Sequence, residues 1–258
     1  MQWNFADLFE GVADLVPDRT ALVCGDRRYT FAELDERSTR LANHLISAGL
    51  EVGDHVGIYA YNGPEWIEAM FGIWKARGVP INVNYRYVEA ELAYLFDNAD
   101  LVGLVHGREF VPRIATVQDQ CPKLKIFVSV EDGSDEDLAT IGAVEYEAAL
   151  AAASTERYAE PRSPDDLYML YTGGTTGMPK GVMWRQEDFF HSTIGALMGG
   201  GNPFTSPDEV MELARNGGTL SGFPVAPLMH GAAQWVALML LLQGNTLVLS
   251  SQKKMNPH

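Results

Sequence analysis

Only two cysteines, Cys24 and Cys121, occur in 258 residues, far apart and in neither C-x-x-C nor metal-ligand spacing. A disulfide framework is therefore unsupported, and a reducing compartment is expected. Basic residues are scarce too, with 19 Lys and Arg against 34 Asp and Glu, so the chain carries a net charge of −15. A field of that sign repels polyanions, which disfavours nucleic acid or an acidic membrane surface as a partner and leaves individual pockets free to attract anions. Long apolar runs are missing: the longest, starting at Trp235 and ending at Leu242, is too short to span a bilayer. The opening Met1-Gln2-Trp3-Asn4 has neither the basic start nor the apolar stretch of a signal peptide. A soluble, cytoplasmic protein without a membrane span is the expectation.

The composition that remains is globular. Hydrophobic residues are 47% and charged residues 21%, with only 13 Pro, which is neither disordered nor collagen-like. A folded chain this long buries roughly 73% of its extended surface, enough for one large core or two smaller ones. Thr30 followed three residues later by Glu33 is a capping-box signature, and Leu34, Leu41, Leu45 and Ile46 then share one helical face before Gly49. Ahead of it, residues 20–24 and 27–31 flank Gly25-Asp26 as a short hairpin. Behind it, apolar strand-like runs begin near Val56, Val79, Leu101 and Ile126, separated by helical patterns over 65–76, 88–98 and 110–120. Strands alternating with helices of this length imply parallel βαβ units, hence an α/β fold of layered parallel sheets flanked by helices.

Between residues 131 and 165 the pattern weakens into acid-rich, Ala-rich and Pro-containing sequence, read as a surface connection or boundary. It divides a first sheet subdomain, 1–165, from a second, 166–258. The acidic run that opens it, Glu131-Asp132-Gly133-Ser134-Asp135-Glu136-Asp137, lacks the spaced ligands and distal Glu of a calcium loop and reads as a solvated turn. The second segment starts with an apolar strand over 167–171 that runs into Thr172-Gly173-Gly174-Thr175-Thr176-Gly177-Met178-Pro179-Lys180-Gly181, after which residues 182–184 resume strand character. Residues 246–249 form another strand, and Asn256-Pro257 is a helix-start signal with no helix after it, so the chain is expected to stop mid-domain.

A loop that holds phosphate needs backbone N–H groups free to approach oxygens, hydroxyls, and a cation. Residues 172–180 supply three glycines, three threonines and Lys180. The spacing is not that of G-x-x-x-x-G-K-[ST], and G-x-G-x-x-G is absent, so neither a P-loop nor a dinucleotide-binding site is indicated. An ordinary glycine-rich turn with a solvated lysine is the plain alternative. The strand leading in and Pro179 stiffening the approach to Lys180 favour a phosphate loop.

From Tyr171 to Val182 this sequence resembles the signature loop of the adenylate-forming superfamily, which comprises acyl-CoA synthetases, luciferases and peptide-synthetase adenylation domains. Two further stretches resemble family segments in order and spacing: Lys75-Ala76-Arg77-Gly78-Val79-Pro80-Ile81-Asn82 ahead of the loop and Pro227-Leu228-Met229-His230-Gly231 after it. Met183-Trp184-Arg185-Gln186-Glu187-Asp188 is most similar to actinobacterial long-chain and steroid side-chain CoA ligases. The resemblance spans the given chain and about the first half of a family member. The family segments that hold Mg²⁺ and adenine, bind ribose, and supply the C-terminal catalytic lysine are not in it, which implies that this stretch alone is inactive.

The resemblance implies a reaction in which a carboxylate attacks the α-phosphorus of ATP, pyrophosphate leaves, and the acyl group passes from the adenylate to coenzyme A. Lys180 would then meet charge on the β- and γ-phosphates, and Thr172, Thr175 and Thr176 would offer hydroxyls, with Mg²⁺ held at Thr175 or Thr176. Gly173, Gly174 and Gly177 complete the nucleotide site, Gly173 being a departure where many members carry Ser or Thr. His230 is either a satisfied core histidine or, by resemblance, a catalytic group between adenylate and acyl pocket. Gly231, Ala232 and Trp235 are the substrate-pocket candidates, and Met229 stands where the family often has an aromatic ring. Trp235, Met239 and Leu242 also fit plain core at helical spacing. Two rival readings are a non-catalytic nucleotide-binding remnant and an adenylation domain serving a carrier protein. The acyl chain and any homo-oligomer are left open.

Overall fold

The computed structural model describes residues 1–174 and 177–252, so Thr175, Thr176 and the Asn256-Pro257 signal lie outside the described residues. In chain order it contains α1 (Phe5–Leu15), β1 (Thr20–Cys24), β2 (Arg27–Thr30), α2 (Phe31–Ser47), β3 (His55–Tyr59), α3 (Pro64–Lys75), β4 (Val79–Asn82), α4 (Glu89–Asn98), β5 (Leu101–Gly107) and α5 (Val111–Val117). There follow β6 (Ile126–Val130), β7 (Val144–Glu145), α6 (Tyr146–Ala152), β8 (Leu167–Gly174), β9 (Gly177–Arg185), α7 (Gln186–Phe189), α8 (Gly195–Met198), α9 (Pro207–Asn216), β10 (Ser221–Gly222), α10 (Gly231–Leu242) and β11 (Thr246–Leu249).

The expected βαβ units form one five-stranded sheet in the order β4-β3-β5-β6-β7, parallel throughout. Strands β3 to β6 are buried along nearly their whole length, as a sheet covered by helices requires, and only the short edge strand β7 is open. The capping box forms as read: the Glu33 amide donates to Thr30 Oγ1 at 3.1 Å and the Thr30 amide donates to Glu33 Oε2 at 2.7 Å, starting α2 at Phe31. Gly25, at a φ of +59°, closes the hairpin between β1 and β2.

A second sheet has the order β10-β11-β1-β2, with Leu22 opposite Leu247 in a parallel pair. Strands from either side of residue 165 thus share one ladder. The stretch 131–165, expected as a surface connection, carries β7 and α6. An Ala-rich segment shows little periodicity, yet Tyr146, Ala149 and Leu150 are buried. The Tyr146 hydroxyl donates to Glu68 Oε2 at 2.8 Å, while Arg37 bridges Glu68 and Glu147, tying α6 to α2 and α3. Among the described residues no helix is long and apolar enough to cross a membrane. Cys24 and Cys121 are buried free thiols.

Candidate functional site

The glycine- and threonine-rich stretch is less of a loop than its composition indicates. β8 and β9 form an antiparallel hairpin in which the ladder runs past Tyr171 opposite Gly181 and Thr172 opposite Lys180 to Gly174 opposite Gly177. Thr172 is β-branched and suits an extended backbone, and glycine does not prevent pairing, so the ladder carries on to Gly174 opposite Gly177 where composition signals a turn. Neither Gly173 nor Gly177 has a left-handed φ, and a Cβ built on either would meet no atom within 4 Å. Packing and backbone twist therefore do not require glycine there, and the backbone at both positions is left open. Gly181 differs, because a Cβ there would come within 2.8 Å of the Tyr171 ring. Lys180 and Thr172 are exposed, and Lys180 has no carboxylate partner among the described residues.

His230 caps the N-terminus of α10, in extended conformation at the exposed rim of the site. The turn that presents it is held by three amide side chains. Asn62 Oδ1 accepts from the Leu228 amide at 2.8 Å, Gln234 Nε2 donates to the Leu228 carbonyl at 2.9 Å, and Asn82 Nδ2 donates to the Met229 carbonyl at 2.7 Å. Partial desolvation, with the charge of Arg86 as the second cause, lowers the His230 pKa below its ordinary value. The imidazole is accordingly neutral at pH 7 and able to donate and accept one hydrogen bond each.

Thr172, Gly173, Met229, His230 and Gly231 line one cleft of about 400 Å³ with Asn82, Asn84, Tyr87 and Tyr171. Two stretches 57 residues apart, read separately in the sequence as phosphate loop and histidine segment, meet there. Gly231 plays a packing part as well: a Cβ on it would fall 2.6 Å from Leu170 Cδ1, so its smallness lets α10 seat on β8. Ala232 is exposed and does not line the cleft. Trp235 is half-buried, with Nε1 donating to the Tyr168 hydroxyl at 3.1 Å and its ring 5.8 Å from that of Phe189. Leu242 is buried and Met239 partly so.

Asn82, Asn62 and Gln234 were not singled out by pattern. One signal for Asn82 was available: a polar residue ending the apolar run Val79-Pro80-Ile81-Asn82 has to find partners once buried. Among the described residues no group of three His, Cys, Asp or Glu side chains is arranged to hold a metal ion, and the Mg²⁺ assignment to Thr175 and Thr176 lies outside the described residues.

Comparison with known proteins agrees with this architecture. The chain is 48% identical over 255 residues to a 3-oxocholest-4-en-26-oate–CoA ligase of Rhodococcus rhodochrous, covering 96% of this chain and 45% of the relative. It is 46% identical over 254 residues to a medium/long-chain-fatty-acid–CoA/3-oxocholest-4-en-26-oate–CoA ligase of Mycobacterium marinum, with 96% and 46% covered. The chain thus spans about half the length of the curated relatives it matches. A solved structure of a putative long-chain-fatty-acid CoA ligase from Rhodopseudomonas palustris superposes with a TM-score of 0.79 at 21% identity, over 97% of this chain and 58% of that one. At that identity the likeness is one of fold. The family of AMP-binding enzymes matches residues 9–258, nearly the whole chain, and this protein belongs to it.

Proposed function

We propose that this chain is the N-terminal part of an ATP-dependent acyl-CoA synthetase that converts a long-chain or steroid-type carboxylate to its acyl-adenylate and then to its coenzyme A thioester, and that the 258 residues alone do not catalyse it. The observation that carries the reading is the single cleft shared by Thr172, Gly173 and His230. The substrate class draws on the names of the relatives from Rhodococcus and Mycobacterium. The buried free thiols Cys24 and Cys121 are compatible with a cytoplasmic setting.

ATP supplies the adenylyl group and the pyrophosphate leaving group, accompanied by Mg²⁺. Attack of the carboxylate oxygen on the α-phosphorus builds negative charge on the departing pyrophosphate, and Lys180 with the open backbone of Gly173 and Gly177 meets it in a preorganised way. The Thr172 hydroxyl adds a donor beside Lys180. Neutral His230 offers a hydrogen bond to the carboxylate without competing for the phosphates as a cation would. The remnant and carrier-protein readings predict different chemistry. Carboxylate-dependent exchange of pyrophosphate into ATP by the complete protein, followed by thioester formation with free coenzyme A, is the expected result. No exchange with any fatty or steroid acid favours the remnant, and exchange without transfer to free coenzyme A favours the carrier-protein reading.

A further inference from the structure

A single side-chain amide joins both halves of the cleft. Asn82 stands at the end of β4 and is 7% exposed. Its Oδ1 accepts from the Tyr171 amide at 2.8 Å, and its Nδ2 donates to the Tyr171 carbonyl at 2.9 Å and to the Met229 carbonyl at 2.7 Å. Both amide hydrogens and one oxygen lone pair are used, and the partners admit only this orientation of the amide, since a backbone N–H cannot accept and a carbonyl cannot donate. Tyr171 directly precedes Thr172, and Met229 directly precedes His230. The rigid parallel sheet thus holds the phosphate-facing strand and the histidine turn through the two polar atoms of one side chain.

We propose that Asn82 is a positioning residue for adenylation, setting Thr172 and Lys180 on one side and His230 on the other at the separation the reaction needs; this rests on the synthetase reading. Other side chains do not supply the same set of bonds. Asp keeps the acceptor for the Tyr171 amide and turns a carboxylate on two carbonyls, whereas Leu has the shape and leaves three buried backbone groups without partners. Asn62 and Gln234 still hold Leu228 in either variant, so the turn keeps two of its anchors and loses the one that refers it to β8.

The test uses the complete ligase. Asn82→Leu should lower the single-turnover adenylation rate on the order of 100-fold, the scale expected of a misplacement near 1 Å, with less than about a threefold change in KM for ATP. In a background where Lys180 and His230 are both replaced by alanine the same substitution should cost less than about threefold, because a residue that acts by placing these groups has little left to place. Independently of activity, amide hydrogen exchange should rise in peptides covering 167–174 and 227–231 and stay unchanged over β3 and β5. Rate losses that add across the two backgrounds, or unchanged exchange in both peptides, would overturn the proposal. If Asn82→Leu does not fold, Asn82→Asp is carried through the same cycle with the same criteria. Absence of carboxylate-dependent exchange in the wild-type ligase overturns the synthetase reading itself and this role with it; activity with additive losses overturns only the role of Asn82.

Discussion

Thr172 and Lys180 are directly opposed across the β8–β9 ladder, so their side chains leave the hairpin on the same face. Counting back by two, that face carries Leu170, against which Gly231 packs, and Tyr168, which accepts the Trp235 indole hydrogen. The lysine therefore projects from the side of the hairpin on which α10 and its N-terminal His230 are seated. Its direction is fixed by strand register, which a flexible loop would not provide.

On the proposed synthetase reading, Lys180→Ala in the complete protein should slow adenylation more than it weakens ground-state ATP binding, because the cation would meet charge that grows as pyrophosphate leaves. Loss of one such preorganised donor costs about 2.7–4 kcal/mol. Single-turnover adenylation, compared with ATP binding by calorimetry, checks this, and an unchanged rate would remove Lys180 from the mechanism.

Gly231 and Ala232 separate packing from pocket shape. Gly231→Leu pushes side-chain atoms into Leu170 and should destabilise the fold by about 1–3 kcal/mol, measured by chemical denaturation. Ala232 is exposed, and Ala232→Leu should leave stability within about 0.5 kcal/mol of wild type. A chain-length series from butyrate to a steroid acid then asks whether Ala232 borders the acyl site: a selective loss of the bulky acids puts it there, and an unchanged preference moves the acyl pocket elsewhere.

His106 makes acid sensitivity predictable in sign. It is buried between β3 and β6, its Nδ1 bonded to the Gly107 carbonyl and its Nε2 without a partner among the described residues. Burial lowers its pKa to about 4, against roughly 6.5 when unfolded. Between these values the unfolded chain binds a proton that the folded chain does not, so stability is fully present above the unfolded value and falls as pH drops through the window. From pH 7 to pH 5 the wild type should lose about 2 kcal/mol more than His106→Gln. Urea midpoints at the two pH values measure this, and equal losses would assign the acid limb to other groups.

Lys75 is 1% exposed and bonds Asp35 Oδ1 at 2.5 Å, Thr39 Oγ1 at 2.9 Å and Glu10 Oε1 at 3.1 Å. Arg162 bonds Glu10 and Asp7 and reaches the Lys75 carbonyl, so α1, α2, α3 and the approach to β8 share one ionic network. Lys75→Met leaves its carboxylates short of a partner in a buried setting and should cost about 3–5 kcal/mol. Unfolding in urea gives the value, and a loss below about 1 kcal/mol would show that Arg162 and Arg157, which donates to Asp35 Oδ2 at 2.8 Å, suffice to neutralise the cluster.

Much of this protein was determined locally. The capping box at Thr30 and Glu33, the glycine at the β1–β2 turn and the alternation that made β3 through β6 each depend on neighbours within a few residues, and those are visible in a chain read end to end. The stretch from Tyr171 to Val182 stood out by its composition, the strand leading into it and its resemblance to a family signature. Tertiary structure decided what depends on partners far away in sequence. Pairing across the hairpin made strand of Thr172, Gly173 and Lys180, a contact with Leu170 accounted for Gly231, and α6 formed where Tyr146 could reach Glu68. The place of Asn82 is the clearest instance: its three bonds reach 89 residues to Tyr171 and 147 to Met229. A buried amide advertises only that it needs partners, and which backbone groups meet that need is set by how the sheets and helices pack.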